Sequence, residues 1–384
     1  TGAMNLQMGG GHSSGVYVEE QVIKWLRELM GFPTGTSGLL VSGCSMANLV
    51  GLTVARNSKA PFDIRKEGLQ NDHPRMTIYA SAEVHSCHQK NTELLGLGSD
   101  SIRFIPVDDD FQMRIDLLRE VIEQDISDGY LPMCVVGTAG TVRTGAFDDL
   151  DAIADICTEH NIWFHVDGAF GSMVAYVDEM RDLIRGMDRA DSIGFDMHKW
   201  MSLPFEAACT LVRHSEVHYN AFTLTPDYLT HGTRGAAGAK TWFSDYGIQL
   251  SRSFRALKVW MAMKANGKIG FANVIRMNIE QTQYLADCID NSPYLERTAS
   301  VPLNIVCFRY IHEGLSTDEL NALNEELLLR LQEGGVAVVS NSTINGKYSL
   351  RMANVNHRST YADFDLLVKT VIELGHDLVR ESKG

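Results

Sequence analysis

Positive charge is in deficit in this 384-residue sequence, which carries 34 lysine and arginine residues against 48 aspartate and glutamate residues, a formal net charge of -14. No run of basic residues interrupts that pattern. A phosphate backbone or an anionic membrane would be repelled by such a surface. We therefore expect no nucleic-acid partner and no membrane partner, and we expect chemistry on a small molecule.

Long apolar runs are also missing. The sequence has no uncharged apolar stretch of about 18 residues and no charged-then-apolar leader, so it predicts neither a transmembrane span nor a signal peptide. Its seven cysteines are an odd number without CxxC spacing, which indicates reduced, mostly buried thiols in a cytoplasmic protein and no metal site. The opening Thr1-Gly2-Ala3-Met4 does not resemble a natural start, so we expect that the chain has been trimmed there.

Hydrophobic residues make up 45% of the chain, enough for a large core. Short apolar runs alternate with helix-length amphipathic segments, an alternation typical of parallel βαβ units. The predicted strands are 39–41, 77–80, 103–107, 133–137, 162–166, 192–195 and 207–212. The sequence therefore predicts a mostly parallel seven-stranded α/β sheet with helices on both faces.

Further helices and strands are predicted before and after the strands of this sheet. A first helix is predicted over 16–30, and a glycine-rich stretch over 228–247 is typical of a mobile loop that closes an active site. A long helical region over 249–291 is followed by predicted strands at 303–310, 336–339 and 349–352 and helices at 316–333 and 361–380. We therefore divide the chain into a large α/β domain, 1–290, and a small α+β domain, 291–384.

Two motifs carry the chemistry: His165-Val166-Asp167-Gly168-Ala169-Phe170-Gly171 and Asp196-Met197-His198-Lys199-Trp200, in which Lys199 lies 32 residues after Asp167. Asp167 and Lys199 each come just after a predicted strand, so both are expected at the carboxyl edge of the sheet, where ligands of such sheets bind. A helix-capping aspartate and a surface lysine are the ordinary interpretations of these residues.

The expected burial of Asp167 and Lys199 favours a functional role over these ordinary interpretations. Residues 162–166 are nearly all apolar, and an ionised aspartate at their end requires a cationic partner such as a protonated pyridine. Met197, Trp200 and Met201 are expected to desolvate Lys199 and lower its pKa, which favours imine formation. The pair predicts a pyridoxal 5'-phosphate site, in which lysine bonds the aldehyde and aspartate keeps the ring protonated.

Other turns after predicted strands supply candidates for the rest of that cofactor. The segment 42–48 follows a strand and opens a helix, which offers backbone N–H groups and the Ser45 hydroxyl to a phosphate. His85 lies past the strand that ends at Ala80, where its ring could stack on a pyridine, although a surface histidine is an equal alternative. The segment 138–144, which contains Thr141, could line the ring edge or be an ordinary turn.

These motifs, together with Leu250-Ser251-Arg252-Ser253-Phe254-Arg255-Ala256-Leu257-Lys258, resemble the group II pyridoxal-phosphate decarboxylases of fold type I, above all their aromatic-amino-acid branch. The resemblance covers about residue 5 to the end of the chain. It implies a fold type I transferase-like architecture, an amino-acid substrate, and a homodimer with active sites at the subunit interface.

The resemblance also implies residue roles. Lys199 would be the Schiff-base lysine, Asp167 the pyridinium partner and His85 the stacking residue, and Arg351 would meet the substrate carboxylate. Further residues expected at the cofactor are Gly43, Cys44, Ser45, Thr141, Ala169, Asp196 and His198.

The chain departs from the family in two ways. An amino-terminal segment of several tens of residues is missing, which would make this sequence a fragment or a shorter relative. The family's loop tyrosine, which protonates the carbanion after decarboxylation, is matched here by Trp242 or Phe243, depending on the direction of counting, and neither is an acid. We include both among the expected substrate contacts. Tyr246 lies nearby but would require a gap of several residues.

The sequence thus predicts a pyridoxal-phosphate-dependent decarboxylase of an L-amino acid, with an aromatic substrate suggested by the resemblance. Without the loop acid, the alternative is oxidative deamination to an aldehyde. A lyase or aldolase of the same fold and a catalytically silent dimer also remain. A dinucleotide-binding oxidoreductase is the weakest alternative, because Gly9-Gly10-Gly11 does not follow a strand.

Overall fold

The computed structural model describes residues 13–70, 72–224 and 241–382. Its α-helices are α1 (Ser14–Leu29), α2 (Cys44–Lys59), α3 (Ile64–Glu67), α4 (Cys87–Leu94), α5 (Ile115–Ser127), α6 (Leu150–Glu159), α7 (Ser215–Phe222), α8 (Arg255–Asp290), α9 (Thr317–Glu333) and α10 (Tyr361–Ser382). Its strands are β1 (Ser37–Val41), β2 (Met76–Ser81), β3 (Ile102–Ile105), β4 (Leu131–Thr138), β5 (Trp163–Asp167), β6 (Ser192–Asp196), β7 (Ala208–Val212), β8 (Leu295–Arg297), β9 (Ile305–Tyr310), β10 (Ser340–Ile344) and β11 (Lys347–Ala353).

The first seven strands form one sheet in the order β1-β7-β6-β5-β4-β2-β3. The neighbours β3, β2, β4, β5 and β6 run parallel, whereas β7 is antiparallel to both β6 and β1. All seven predicted strands are therefore present. The prediction of a mostly parallel seven-stranded α/β sheet is confirmed.

The centre of this sheet is the core of the first unit. Every residue of β2, β5, β6 and β7 is buried. Because successive side chains of a strand point to opposite faces, burial along the whole strand requires cover on both faces. Helix α2 packs against β6 and β7, and α6 packs against β4 and β5.

The ends of α1 follow from single residues. The Ser13 side chain caps the helix by accepting the backbone N–H of Val16 at 3.4 Å. The helix stops at Leu29, and Gly31 adopts a φ of 76°, a left-handed conformation that glycine tolerates best. The helix thus begins two residues earlier and ends one residue earlier than the predicted helix 16–30.

The second unit contains a four-stranded antiparallel sheet in the order β10-β11-β9-β8, with α9 and α10 in the same unit. The predicted strand at 336–339 is wrong, because the extended segment there lies at Ser340–Ile344 instead. A two-residue turn at Asn345 and Gly346, with φ values of 48° and 78°, connects β10 to β11. Positive φ at both central residues is the requirement of a tight hairpin turn, and it fixes the register of this pair.

The chain divides into two compact units, one formed by Thr1–Ala139 and Phe147–Phe271 and the other by Gly140–Ala146 and Ala272–Gly384. The division falls within α8, four residues after Gly267, where non-helical backbone breaks the helix. The sequence-based division lies at 290/291, the end of that helix. The short loop 140–146 belongs with the second unit although β4 precedes it.

All seven cysteines lie in the described ranges as free thiols, and all except Cys288 are buried. Across those same ranges, no helix combines the length and the apolar character that crossing a bilayer requires.

Candidate active site

Three neighbouring parallel strands end side by side at the carboxyl edge of the large sheet. Strand β4 ends at Thr138, β5 at Asp167 and β6 at Asp196. Thr138 is the register partner of Asp167, and Asp167 is the partner of Gly194. The sheet thus brings two acidic side chains to adjacent positions at the edge where open α/β sheets bind ligands.

The Asp167 carboxylate is buried and receives several hydrogen bonds. His88 Nε2 lies 2.8 Å and Asn48 Nδ2 2.9 Å from Oδ2, while the backbone N–H of Ala169 donates to Oδ1 at 3.1 Å. The Cys44 sulfur is 3.6 Å from Oδ1. Burial raises the pKa of Asp167, but the hydrogen bond from His88 and its electrostatic attraction outweigh burial, so the net pKa is well below the usual value. The carboxylate is therefore ionised.

A second histidine fixes the orientation of Asn48. His165 Nε2 is 3.1 Å from Asn48 Oδ1, and His165 Nδ1 is 2.8 Å from the Ser192 hydroxyl. Burial, with a further contribution from His88, lowers the pKa of His165 to about 3, so its ring is neutral. Because His165 donates to Oδ1, the amide of Asn48 must direct its NH₂ group at Asp167.

Lys199 lies three residues after Asp196 and is paired with it, with Nζ 3.0 Å from Oδ2. Asp196 also accepts the backbone N–H of Cys44 at 2.7 Å. Burial lowers the pKa of Lys199, but the attraction and hydrogen bond of Asp196 outweigh it, and the net pKa is raised. The expected lowering was therefore wrong, because the carboxylate three residues before Lys199 has a larger effect on its pKa than the apolar neighbours 197, 200 and 201 suggest.

The predicted phosphate-binding residues surround the start of α2. Gly43 is the N-cap residue and has no side chain to cap the helix, Cys44 is the first helical residue, and Ser45 is exposed. A Cβ atom placed on Gly43 would come 3.8 Å from the His198 ring. His198 Nδ1 in turn accepts the backbone N–H of Ala207 at 3.1 Å. The structure thus places His198 beside this helix end.

His85 is exposed just before α4, and its Nδ1 accepts the backbone N–H of Cys87 at 3.2 Å. Partial burial is the main cause of its lowered pKa; Asp167 opposes that change and Lys199 adds to it. His85 is therefore within electrostatic range of both key residues. Ala169, another predicted cofactor contact, follows Asp167 by two residues and donates to it.

Two predicted site residues, Thr141 and Arg351, belong to the second unit. The Thr141 hydroxyl is buried, lies 3.1 Å from the Thr144 hydroxyl and accepts the N–H of Ala146 at 3.1 Å. Arg351 Nε donates to the carbonyl of Val142 at 2.8 Å. Burial lowers the pKa of Arg351. Arg351 and Thr141 are thus linked through the loop 140–146.

The predicted lid falls partly outside the described residues, which leave out 228–240. Trp242 and Phe243 are both buried, and the Phe243 ring lies 5.3 Å from the Arg252 guanidinium. Arg252 is itself paired with Glu19. Tyr246 packs edge-on against His218 at 5.0 Å, so this tyrosine is anchored on α7.

Two residues of this site were missed from the sequence, Asn48 and His88. Asn48 falls on the buried side of α2, one helical turn after Cys44, and His88 follows His85 by three residues. A buried asparagine in an otherwise apolar helix face was the available signal for the first. The contact of His88 with Asp167 depends on tertiary packing and had no signal in the sequence.

Comparison with known proteins gives concordant matches. The family model described as "Pyridoxal-dependent decarboxylase conserved domain" matches residues 14–311. The chain is 33% identical to an aromatic-L-amino-acid decarboxylase of Bacillus atrophaeus, over 89% of this chain and 70% of that protein. It is 34% identical to a histidine decarboxylase of Drosophila melanogaster, over 92% of this chain and 41% of that protein.

Solved structures agree. The crystal structure of Oryza sativa TDC with PLP and tryptamine matches with a TM-score of 0.91 and 25% identity, covering 98% of this chain and 79% of that one. This match confirms the predicted fold type I architecture.

Proposed function

Because the chain belongs to the pyridoxal-dependent decarboxylase family, we propose that it decarboxylates an aromatic L-amino acid and releases the corresponding amine. The family match confirms the predicted enzyme class, a carboxy-lyase, and the predicted cofactor, pyridoxal 5'-phosphate. The aromatic side chain is the finer part of the proposal. The 33% identical Bacillus relative supports it, and the histidine decarboxylase relative makes an imidazole side chain the first competitor.

One observation carries the proposal: a carboxylate that is 3% exposed and ionised at the end of β5. Such a group suits a protonated pyridine nitrogen, because a buried anion needs a cationic hydrogen-bond donor. When bound, the cofactor supplies an aldehyde for an amino group and a protonated ring that accepts the electrons of the breaking bond. Asp167 would stabilise the positive end of that ring.

We assign the other end of the cofactor to the start of α2. At the start of this 16-residue helix the backbone N–H of Cys44 is bonded to Asp196, and the next one along the chain, that of Ser45, is directed outward at this end. Ser45 adds an exposed hydroxyl, and the absence of a side chain at Gly43 leaves room beside His198. This set is suited to a phosphate dianion.

Lys199 is the residue we propose to hold the cofactor through its amino group. Asp196 favours the ammonium form of Lys199, so a proton remains on Lys199 Nζ until it is transferred to another group. Trp200, the next residue, is buried and stacks on Phe170 at 5.1 Å between ring centres, which restrains the backbone that carries the lysine. His85 and Ala169 are proposed to contact the two faces of the ring.

The substrate contacts remain proposals at the level of single residues. Arg351 donates from Nε to the Val142 carbonyl and from Nη1 to the Ser340 hydroxyl at 3.3 Å, and a carboxylate is the natural partner of its other guanidinium N–H groups. Trp242, Phe243 and Thr141 are retained as proposed pocket residues. We also propose a homodimer with the active site at the subunit interface, testable by sedimentation of the cofactor-loaded protein.

A second candidate function is oxidative decarboxylation, in which amino acid, oxygen and water give an aldehyde, carbon dioxide, ammonia and peroxide. It is supported by the buried, non-acidic Trp242 and Phe243, and by a relative at 28% identity named 3,4-dihydroxyphenylacetaldehyde synthase. The predicted loop 228–247 contains two tyrosines as alternative acids. Tyr246 is packed on α7, and Tyr228 lies outside the described residues.

The test is a panel of L-amino acids with the purified, cofactor-loaded protein, assayed together for carbon dioxide, amine, ammonia and peroxide. Amine and carbon dioxide without peroxide support the first function, whereas equal amounts of aldehyde, ammonia and peroxide support the second. Carbon–carbon cleavage without carbon dioxide would indicate a different lyase, and no turnover would indicate a silent homologue. Lys199→Ala should abolish turnover, while replacement of the exposed Lys24 on α1 should not.

A further inference from the structure

The side chain that contacts Asp167 at the shortest distance is His88, the second residue of α4. Its Nε2 lies 2.8 Å from Oδ2, and the side chains are 0% and 4% exposed. Neither the sequence motifs nor the cofactor's own chemistry requires a histidine here. The contact therefore needs a separate explanation.

The direction of this hydrogen bond follows from the carboxylate. An ionised carboxylate only accepts, so the hydrogen must lie on His88 Nε2. Asn48 Nδ2 is 3.2 Å from the same nitrogen and donates to Oδ2 as well, so two N–H groups converge on one oxygen. Nδ1, on the opposite edge of the His88 ring, is buried without a hydrogen-bond partner among the described residues. The hydrogen-bond contacts of the His88 ring among the described residues thus lie at Nε2, the nitrogen that faces Asp167.

A metal ion is the competing explanation. The ligand atoms of Cys87, His88 and Asp167 lie within 4.8 Å of one another, a spacing that a cation could use. Burial is the main cause that raises the pKa of Cys87 to about 11, so without a metal ion its sulfur is a neutral thiol. Asp167 is also the carboxylate assigned to the pyridine nitrogen. Hydrogen bonding explains the cluster without a second occupant.

We propose that His88 is a positioning residue whose Nε2–H holds the Asp167 carboxylate ionised and oriented toward the protonated pyridine nitrogen of the cofactor. The inference rests on the proposed function, since it assumes that Asp167 meets that nitrogen. Its consequence is that His88 sets both the affinity for pyridoxal 5'-phosphate and the protonation of the bound ring. Hydrogen-bond partners of metal ligands change affinity by about 10- to 100-fold when removed, and a comparable loss is expected here.

The test compares two substitutions in the full chain. His88→Leu removes the donor, whereas His88→Gln keeps an N–H group near the position of Nε2. Binding of pyridoxal 5'-phosphate to the cofactor-free protein is measured by absorbance titration, and protonation of the bound ring by the ¹⁵N chemical shift of ring-labelled cofactor. We expect the leucine variant to lose about tenfold or more in affinity and to shift toward unprotonated pyridine. The glutamine variant should stay near the wild type in both.

Cys87→Ala is the matched control, because it alters the neighbouring buried residue and removes one ligand of the alternative metal cluster. It should leave affinity and chemical shift unchanged. Equal losses in Cys87→Ala and His88→Leu would overturn the inference, as would a folded leucine variant with wild-type affinity and shift. If the leucine variant does not fold, a glutamine variant that folds but has lost ring protonation overturns it. A wild type that binds no pyridoxal 5'-phosphate would instead refute the proposed function itself.

Discussion

Protonation of a buried histidine should make this protein lose stability in mild acid. His218, on α7, is 0% exposed. Its Nε2 donates to the carbonyl of Tyr246 at 2.8 Å, and its Nδ1 accepts from the Ser37 hydroxyl at 2.9 Å. The ring therefore uses both nitrogens as a neutral imidazole. It links β1 to the end of the predicted loop 228–247.

The magnitude follows from the pKa of that ring. Burial lowers the pKa of His218 from 6.5 to about 4. The unfolded chain takes up the proton near pH 6.5 and the folded chain only near pH 4, so stability is complete above pH 6.5 and is lost as the pH falls toward 4. Between pH 7 and pH 5 the loss from this one group is about 2 kcal/mol. His165, with a pKa of about 3, adds a loss of about 2 kcal/mol over the same interval.

The assay is urea unfolding of the cofactor-free protein at pH 7 and pH 5. His218→Gln should be less stable at pH 7, because ring contacts with Tyr246 and Phe222 are lost. Its loss between the two pH values should nevertheless be smaller than that of the wild type by about 2 kcal/mol. Subtracting the variant's loss of stability from the wild-type loss cancels the contribution of groups that are the same in both proteins. One such group is Asp148, whose pKa burial raises to about 6.

His214→Gln is the matched control, since His214 precedes the same helix and is exposed, and its imidazole is hydrated in both states. It should retain the full wild-type loss. The reasoning is refuted if His218→Gln loses as much stability between pH 7 and pH 5 as the wild type does.

Three further predictions concern the site and its support. Gly194→Ala would place a Cβ against the Asn48 amide oxygen and 3.1 Å from the Ala47 Cβ. Urea unfolding should therefore show a loss of stability of about 1–3 kcal/mol, and cofactor titration should show weaker binding. An unchanged unfolding midpoint would contradict this prediction. Asp196→Asn should lower the pKa of Lys199, so an amine-directed reagent should label Lys199 faster at pH 8 than in the wild type. An unchanged labelling rate would count against the ion pair. Arg252→Met would leave Glu19 buried without its charge partner and should cost about 3–5 kcal/mol in urea unfolding, whereas Arg330→Met, which breaks a more solvent-accessible pair with Glu381, should cost much less.

The sequence was sufficient for the large sheet because every strand there except the edge strand β3 is buried at most of its residues and appears as a short apolar run. It also predicted that Asp167 and Lys199 lie at the carboxyl edge of the sheet, since Asp167 ends one such strand and Lys199 follows another by three residues. The strand of the second unit placed at 336–339 failed for the opposite reason. Val336 and Val338 are apolar but exposed, and the hairpin is specified by the turn at 345–346. Apolar character predicts strands only where it coincides with burial.

The electrostatics of the site were less accessible from sequence. The environment of Lys199 was inferred from the residues adjacent to it, but the carboxylate of Asp196 determines its pKa. His88 reaches Asp167 only because α4 packs against α2, which in turn packs against β5. Hydrophobic pattern identifies which elements meet, whereas a hydrogen bond between two of them depends on their relative positions to within an ångström.

The arrangement around Asp167 explains why a site for a protonated ring needs supporting groups. A proton shared between a pyridine nitrogen and a carboxylate stays on whichever has the higher pKa. Burial alone would raise the pKa of Asp167 and draw the proton to oxygen. The donors His88, Asn48 and Ala169 reverse that effect before any cofactor binds, and neutral His165 fixes the amide that supplies one of them. If Asp167 meets the pyridine nitrogen as proposed, protonation of the ring depends on this hydrogen-bond network, and removal of a single donor should change it without disturbing the sheet.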